Sequence, residues 1–524
     1  MTKKADGNNK TRINVQLLIF MFLVSLYLLF TPGYPPTSMG VSALLTALSL
    51  VDEGNFSIEE PTLETGIGKD GKYYTYEGLA FVLVVSFFTA LSKVFGMFPS
   101  GVLFVNPILT AIACIILFHL GRELKYTMKT SVALALVYGI GTMAWVHARY
   151  LMPEPLTTVV YLTSFLFFLK YRDKRKKKWL FLCGCFTGLA LIVRPDAPLF
   201  IIVIVLGILA LFYRDYRDKK RALIVIMREA FIFLTPLLFF FAVYAYYNYA
   251  RFGSFFELGY ATKAQKVAET GGEGKGFRIR SFRFTLLGLL GMWIIPCRSM
   301  FFINPVLIFI FWALKDFWKK YKFECILIGI TLILHIFLYS NRGPSGFPGS
   351  SAWGIRYMVP MTGFMVIIMG TFVNNITTLR KGKFYLRVFV MVFLVSVFFQ
   401  FIGSSVSYQA TQKYLEEQYN TPEDDMEARR KMNFDPRWNL ITQNTKKLLS
   451  GFVDLMYLNY IKGNTTYYPK YLWISGPPAW VGVSLVLFLI MFSTSGYLLV
   501  SILVTPIGEI QNMEKSKRKK KKSG

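Results

Sequence analysis

GYPPTSMGVSALLTALSLVDEGNFSIEEPTLETGIGKDGKYYTYE, residues 33–77, is a polar interlude between two strongly apolar runs, and its reading decides how the chain is threaded. It holds Asp52, Glu53, Glu59, Glu60, Glu64, Asp70 and Glu77 in a chain that otherwise carries a large excess of Lys and Arg. Val41, Leu44, Leu45 and Leu48 fall at i, i+3, i+4 and i+7, which predicts an amphipathic helix over Ser38–Val51 with one apolar face. Such a helix lies on an apolar surface and delivers Asp52 and Glu53 beside it.

The flanking runs identify that surface. Hydrophobic residues make up 54% of 524 positions, Phe alone occurs 49 times, and mean hydropathy is +0.43. Many runs approach the roughly 20 residues needed to cross a bilayer, so the fold class is an all-α polytopic membrane protein. The net charge of +29 does not point to nucleic acid, because the basic residues sit in short clusters between apolar runs. That is the positive-inside pattern. The run Lys515–Lys522 reads as a cytoplasmic tail touching anionic lipid. Of 5 cysteines, Cys114, Cys183, Cys185 and Cys325 lie in apolar runs, and Cys183-x-Cys185 is not a zinc spacing. The first apolar run, Val15 to Phe30, follows Lys3, Lys4, Lys10 and Arg12 without a small-residue cleavage site, and reads as a retained span.

With the basic N-terminus in the cytoplasm, the 33–77 loop is extracytoplasmic. If Gly78–Phe95 also crossed, the basic residues 122–129, 172–178, 214–221, 319–322 and 380–383 would all face outward. Reading 78–96 as a non-crossing segment corrects them together. The expected spans are then about 14–31, 102–120, 131–147, 156–171, 179–194, 197–213, 229–248, 299–315, 324–340, 357–375, 386–402 and 479–504, about twelve crossings. Phe284–Ile295 becomes a second non-crossing segment. The organisation is a membrane module 1–402 with the first outer loop at 32–77, a long outer loop 403–478, a last span 479–504 and a basic tail 505–524. Both termini are cytoplasmic. Tyr408, Tyr414, Trp438, Tyr457 and Tyr460 give the 403–478 loop the look of helices lying on the membrane surface.

The informative polar groups gather on the outer side. His147, Arg149 and Glu154 stand at a span junction, where Glu154 also suits a proline-flanked helix start. Arg194-Pro-Asp196 sits between two closely spaced spans, as a functional pair or an internal ion pair. Arg356 follows a Gly/Ser/Pro-rich loop, either as a phosphate fork or as an interface arginine beside Trp353 and Tyr357. No Walker loop, dinucleotide fingerprint or HExxH occurs, and the cytoplasmic loops are short. Any substrate therefore arrives through the membrane.

Asp70-Gly-Lys-Tyr-Tyr-Thr-Tyr-Glu-Gly-Leu-Ala, Arg149-Tyr-Leu-Met-Pro-Glu154, Gly188-Leu-Ala-Leu-Ile-Val-Arg194-Pro, Asn248-Tyr-Ala-Arg-Phe-Gly-Ser-Phe-Phe-Glu-Leu-Gly-Tyr260 and Trp353-Gly-Ile-Arg356-Tyr-Met-Val-Pro occur in this order. The series resembles the GT-C superfamily of membrane glycosyltransferases, nearest to the branch of the protein O-mannosyltransferases and lipid A aminoarabinose transferases, over about residues 13–375. The resemblance implies transfer of a sugar from a polyprenyl-phosphate carrier to a lipid, glycan or protein acceptor outside the cytoplasm, with no nucleotide or other cofactor. A first-loop carboxylate would be the general base, and Arg or Lys would neutralise the departing phosphate. Asp52, Glu53 and Glu154 are the catalytic candidates, and Arg149, Arg194 and Arg356 the phosphate-binding ones. His147, Asp196, Lys72, Tyr74 and Glu77 are further candidates. No metal-ligand set is expected, while metal assistance stays open.

One departure is plain. The family's base usually stands where the first-loop helix begins, which here reads Thr37-Ser38-Met39-Gly40 without a carboxylate. Asp52 and Glu53 lie about 18 Å further along. Either one of them takes the role, or Glu154 acts alone, or the chain is a non-catalytic relative. A transporter or flippase of lipid-linked glycans is the other rival, disfavoured because the chain shows neither internal repeats nor mid-membrane polar groups clearly and its polar residues gather at one face. The expected location is a prokaryotic plasma membrane. Replacing Asp52, Glu53 and Glu154 in turn separates these readings: an enzyme loses turnover but keeps lipid binding, whereas a binding protein loses little.

Overall fold

The computed structural model describes residues 14–62, 64–259, 282–294, 299–340, 352–408, 411, 437, 440–461 and 479–504. The basic tail, the middle of the 249–298 loop, residues 341–351, Tyr414, Trp438 and the Tyr460 side chain lie outside the described residues.

Asn14 caps α1 (Val15–Leu29), its side-chain oxygen accepting from the N–H groups of Gln16 and Leu17. The chain turns at Gly33, whose φ of +81° and close approach to Met456 leave no room for a side chain. Thr37 then caps α2 (Ser38–Asp52) through the Gly40 N–H at 2.9 Å. The helix read from the hydrophobic period is present, but its buried face consists mainly of small residues: Gly40, Ser42, Ala43, Leu44, Thr46 and Ala47. Of the predicted stripe, Leu44 is buried and Leu48 packs against the core, while Val41 and Leu45 stay partly exposed. Small residues let α2 approach its neighbours closely.

The first loop adds a small antiparallel sheet to the all-α bundle. Its order is β1 (Ser57–Ile58), β3 (Tyr73–Thr75), β2 (Thr65–Ile67), with Ser57 opposite Tyr74 and Thr65 opposite Thr75. Strand-favouring Tyr73, Tyr74 and Thr75 follow a tight turn in which the Gly68 N–H donates to the Lys72 carbonyl at 2.7 Å. Strands of this length show no alternation, which is why the sequence pattern did not reveal them.

Gly78 caps α3 (Leu79–Val94) and presses on the end of α8 (Lys177–Val193). Past α3, Ser100 Oγ donates to the Gly33 carbonyl at 3.0 Å. Gly33 lies just beyond α1 and Val193 ends α8, so the chain enters and leaves α3 at one end of the bundle. The bundle itself continues through α4 (Val105–Glu123), α5 (Met128–Gly141), the short α6 (Ala144–Ala148), α7 (Glu154–Lys174), α8, α9 (Ala197–Arg217) and α10 (Leu223–Phe252). After α11 (Phe282–Ile294), α12 (Met300–Ile303) and α13 (Ile310–Lys320) occupy the span expected at 299–315. Pro305 breaks that span into two helices joined by a 3₁₀ turn, and Asn304 Oδ1 accepts from the Met143 N–H at 2.6 Å beside the break. α14 (Lys322–Ser340), α15 (Val359–Asn375), α16 (Gly382–Ser405), α17 (Leu440–Leu449), α18 (Met456–Ile461) and α19 (Ala479–Val504) complete the order.

Seven described helices are long and apolar enough to cross a membrane. The helix centred on α15 has 83% of its apolar window buried and the α19 helix 11%, so α15 is the hub and α19 presents its surface outward. The basic loops meet at one end, where Arg175 pairs with Asp215 at 2.9 Å, Arg221 with Glu229 at 2.5 Å, and Arg172 with Glu324. The opposite end holds the acidic first loop and the 149–156, 194–196 and 352–358 segments.

The fit of Gly78 against α8 is directly testable. A Cβ there would come within 2.5 Å of the Ile192 carbonyl oxygen and closer still to that of Val193. Gly78→Ala is expected to cost about 1–3 kcal/mol, read as a lowered Tm of the protein in detergent. An unchanged Tm would show that α3 is not packed there.

Candidate active site

Pro153 and Pro155 set the first turn of α7, and Glu154 at its start is completely buried. α8 stops at Val193 because Arg194 precedes a proline and takes an extended conformation. The turn places Arg194 opposite Glu154. Arg194 Nη1 lies 3.2 Å from Glu154 Oε1, and its Nε lies 2.9 Å from Asp196 Oδ1. Its Nη2 donates to the Tyr339 hydroxyl at 3.1 Å, and that hydroxyl donates to Asp196.

Arg356 approaches the same Glu154 oxygen at 3.9 Å and donates to the Tyr357 hydroxyl at 2.7 Å. The Tyr357 ring stacks on Tyr339 at 4.8 Å and lies 5.3 Å from the Arg194 guanidinium and 4.6 Å from that of Arg356. Glu154 thus bridges two guanidinium groups through one oxygen, while its Oε2 is buried without a partner among the described residues. His147 donates from Nε2 to the Trp353 carbonyl at 3.1 Å, leaving Nδ1 buried and unpartnered among the described residues.

Beside this cluster runs a crevice lined by Glu77, Gly78, Leu79, Ile192, Arg194, Tyr247 and Arg251, among others. β3 leads straight into it, and Arg251 Nη1 fixes that strand by donating to the Thr75 carbonyl at 2.7 Å. Glu77 is 4% exposed, and among the described residues no cationic group lies within ion-pair distance of it. Burial, with the like charges of Glu154 and Glu64, pushes its carboxyl up to about 8, although Arg356 and Arg194 pull the other way. Arg251 is as buried as Glu77, at 4%. Its partners are all neutral: the Thr75 and Tyr247 carbonyls, Asn248 Oδ1 at 3.0 Å and the Tyr247 ring at 3.6 Å. It is a guanidinium buried without a carboxylate among the described residues.

The remaining candidates separate. Arg149 is held by Asp454, its Nη2 lying 2.6 Å from the carbonyl and 3.2 Å from Oδ2, and its Nη1 donates to the Ser404 carbonyl at 2.7 Å. Tyr34 donates to the same carboxylate at 3.3 Å. Asp454 belongs to a strap fastened through backbone bonds to Ser405 and Thr31. The strap brings part of the 403–478 region into the bundle end, where Tyr457 is buried; Tyr408 beside it is fully buried. Asp52 pairs with Lys93 on the surface, and Glu53 accepts from Asn55 at 2.8 Å. With Gly40 against the Leu151 carbonyl, Asp52 stands about 18 Å along α2 from the cluster. Lys72 is exposed, and Tyr74 donates to Asp70 at 2.7 Å. The structure therefore brings Glu154, Arg194, Asp196, Arg356, His147 and Glu77 together, and leaves Asp52, Glu53, Lys72 and Tyr74 apart. Arg251, Tyr339 and Asp454 were missed. Only Arg251 gave any sequence signal, as part of the Asn248–Tyr260 motif.

The profile of the dolichyl-phosphate-mannose-protein mannosyltransferase family matches residues 81–240, a segment that carries Glu154, Arg194 and Asp196. Through that match the resemblance to the GT-C superfamily read from the motifs is borne out, with the profile reaching from α3 into α10. Among solved structures, the archaeal oligosaccharyltransferase AglB from Archaeoglobus fulgidus, in complex with an inhibitory peptide and a dolichol-phosphate, is similar at 12% identity and a TM-score of 0.49, covering 78% of this chain and 58% of that one. ArnT from Cupriavidus metallidurans bound to undecaprenyl phosphate is similar at 13% identity and a TM-score of 0.45, covering 87% and 80%. In the apo state ArnT gives 12% identity and a TM-score of 0.47, covering 93% and 75%. The chain spans about three fifths of the length of AglB. No curated protein matches it in sequence.

The Arg149–Asp454 pair carries its own prediction. Removing one member of a buried pair leaves an uncompensated charge and costs about 3–5 kcal/mol. Asp454→Asn should release the 440–461 segment to protease while the helical bundle persists, whereas Arg149→Met with Asp454→Leu should restore resistance. Equal protection in Asp454→Asn and the parent protein would contradict a latch.

Proposed function

We propose that this chain is a glycosyltransferase that moves a sugar from a polyprenyl-phosphate carrier to a hydroxyl of a lipid, glycan or protein on the extracytoplasmic side of a plasma membrane. The observation that carries the reading is Arg251, buried without a carboxylate partner among the described residues in the crevice that also holds Glu77 and Arg194. A buried, unpaired cation is costly, and an anionic ligand offsets that cost. The crevice is otherwise largely apolar, with Leu79, Leu191, Ile192, Pro195 and Leu258 in its walls. It borders α10, most of whose apolar window is exposed. A phosphate on a long hydrocarbon chain fits both features. The family profile names dolichyl-phosphate mannose, and the gathering of the basic loops at the opposite end supports the extracytoplasmic placement.

In this reading Arg251 and Arg194 receive the carrier phosphate. Glu77 takes the proton of the acceptor hydroxyl as its oxygen attacks the anomeric carbon. The bond from that carbon to the phosphate oxygen breaks, and the negative charge gathering on the lipid phosphate is stabilised by the two guanidinium groups in a water-poor site. Glu154 holds Arg194 and Arg356 in place. A base must be able to ionise near the working pH, and Glu77 meets that condition. Asp52, paired with Lys93 away from the crevice, takes no part.

The test uses purified protein, polyprenyl-phosphate-linked hexoses and pentoses, and cell-envelope acceptors, with release of free polyprenyl phosphate as the readout. Arg251→Gln is expected to lower turnover on the order of 10²-fold, Glu77→Gln by about 10²–10⁴-fold, and Asp52→Asn not at all. Carrier binding without release from any donor would replace this reading with a non-catalytic relative. Loss in Glu154→Gln with Glu77→Gln active would make Glu154 the base.

The pH profile gives a second test. With Glu77 as base, kcat/KM should rise as pH climbs through about 8. Glu154→Gln removes a like charge, so ionisation of Glu77 becomes easier and the rising limb should move to lower pH in the activity that remains. A limb that stays in place, or moves upward, would contradict the coupling.

A further inference from the structure

At the end of the bundle opposite the candidate site, three ammonium groups surround one indole. Lys170 and Lys174 stand a turn apart near the end of α7, and Lys178 lies in the first turn of α8. Their Nζ atoms lie 4.7, 5.9 and 4.6 Å from the centre of the half-buried Trp179 ring. The indole stacks on Phe167 at 5.6 Å with an interplanar angle of 19°, and Lys170 also lies 5.5 Å from the Phe167 ring. The indole therefore sits on a fixed base, and each ammonium gains from its ring.

Ring attraction does not cancel the repulsion among the three cations. Lys174 has Glu123 at 3.3 Å, but among the described residues Lys170 and Lys178 have no carboxylate within 4 Å. The adjacent guanidinium groups are engaged elsewhere, Arg172 with Asp173 at 2.7 Å and with Glu324, and Arg175 with Asp215 at 2.9 Å. The positive end of the α8 dipole adds to the same field. This is a localised excess of positive charge around one ring, whereas Arg172 and Arg175 beside it are neutralised within the protein.

We infer that the Lys170, Lys174, Lys178 and Trp179 cluster is a binding site for the phosphate headgroup of an anionic membrane phospholipid. The headgroup phosphate supplies the missing negative charge. The Trp179–Phe167 stack offers apolar surface to the glycerol backbone and the first acyl carbons. A free phosphate would use the ammonium groups but not that surface, which favours the lipid as the occupant. The cluster lies apart from the transfer site, and the inference does not rest on the proposed activity.

Native mass spectrometry of the full chain, released from a neutral detergent and titrated with phosphatidylglycerol or phosphatidylcholine, tests the site. The parent protein should retain a phosphatidylglycerol that phosphatidylcholine and inorganic phosphate do not displace. Lys170→Gln/Lys174→Gln/Lys178→Gln should weaken that retention by at least about tenfold. Lys176→Gln/Lys177→Gln/Lys219→Gln removes the same formal charge from exposed lysines at the same end and should leave it unchanged. Trp179→Leu should reduce retention, and Trp179→Phe should restore part of it. Equal loss in both triple variants would reduce the site to diffuse charge and overturn the inference. Equal retention of the two lipids, or displacement by inorganic phosphate, would overturn it as well. Unchanged Tm in both triple variants keeps these readings independent of folding.

Discussion

One carboxylate oxygen shared between two guanidinium groups is the constraint on which the site end of this bundle depends. Glu154 is fully buried at the start of α7, where an isolated charge would be prohibitively costly. Arg194 and Arg356 neutralise it from different sides, and each is itself positioned by a tyrosine: Tyr339 for Arg194 and Tyr357 for Arg356. The stacked pair of tyrosines links α14 to the start of α15, so the ion network and the helix packing support one another. Asp196 adds the remaining charge at Arg194. The network needs the ends of α7, α8, α9, α14 and α15 to meet, which makes it a property of the assembled bundle.

Around that network, two attachments bring distant segments to the same place. The small sheet of the first loop ends in β3, and Arg251 grips its Thr75 carbonyl, so Glu77 enters the crevice from a rigid strand. The strap at 454–456 is held between the ends of α1 and α16 by Arg149. Arg149 and Arg251 are both buried arginines at the site end, yet their surroundings differ. One has a carboxylate partner and serves as a structural clamp, and the other has only neutral partners among the described residues. Residue type does not separate these roles; the counter-ion does.

Much of the architecture is legible in the chain itself. The α2 helix, the break at 194–196 and the start of α7 at Glu154 stand where hydrophobic period, proline placement and charge put them. Of the candidates read from the sequence, the fold brings Glu154, Arg194, Asp196, Arg356, His147 and Glu77 to one place and leaves Asp52, Glu53, Lys72 and Tyr74 apart. Other features were hidden for identifiable reasons. Pro305 breaks the expected 299–315 span because proline removes a backbone donor, while Pro236 inside α10 is tolerated. Asp52 and Glu53 were attractive for their place on an amphipathic helix, but twelve residues of helix carry them away from the crevice.

The sequence by itself determined the membrane-embedded bundle, the gathering of basic loops at one end and of acid–arginine motifs at the other, and the family resemblance. Hydropathy, charge and short motifs are local properties, and each can be read within a few turns of chain. Only the tertiary structure decided which charges are paired. Arg149 meets Asp454 across 305 residues, Arg251 has only neutral partners among the described residues, and Glu77 is buried beside Glu154. Ion pairing and desolvation depend on which distant segments share a volume from which water is excluded, and no local pattern in the chain encodes that.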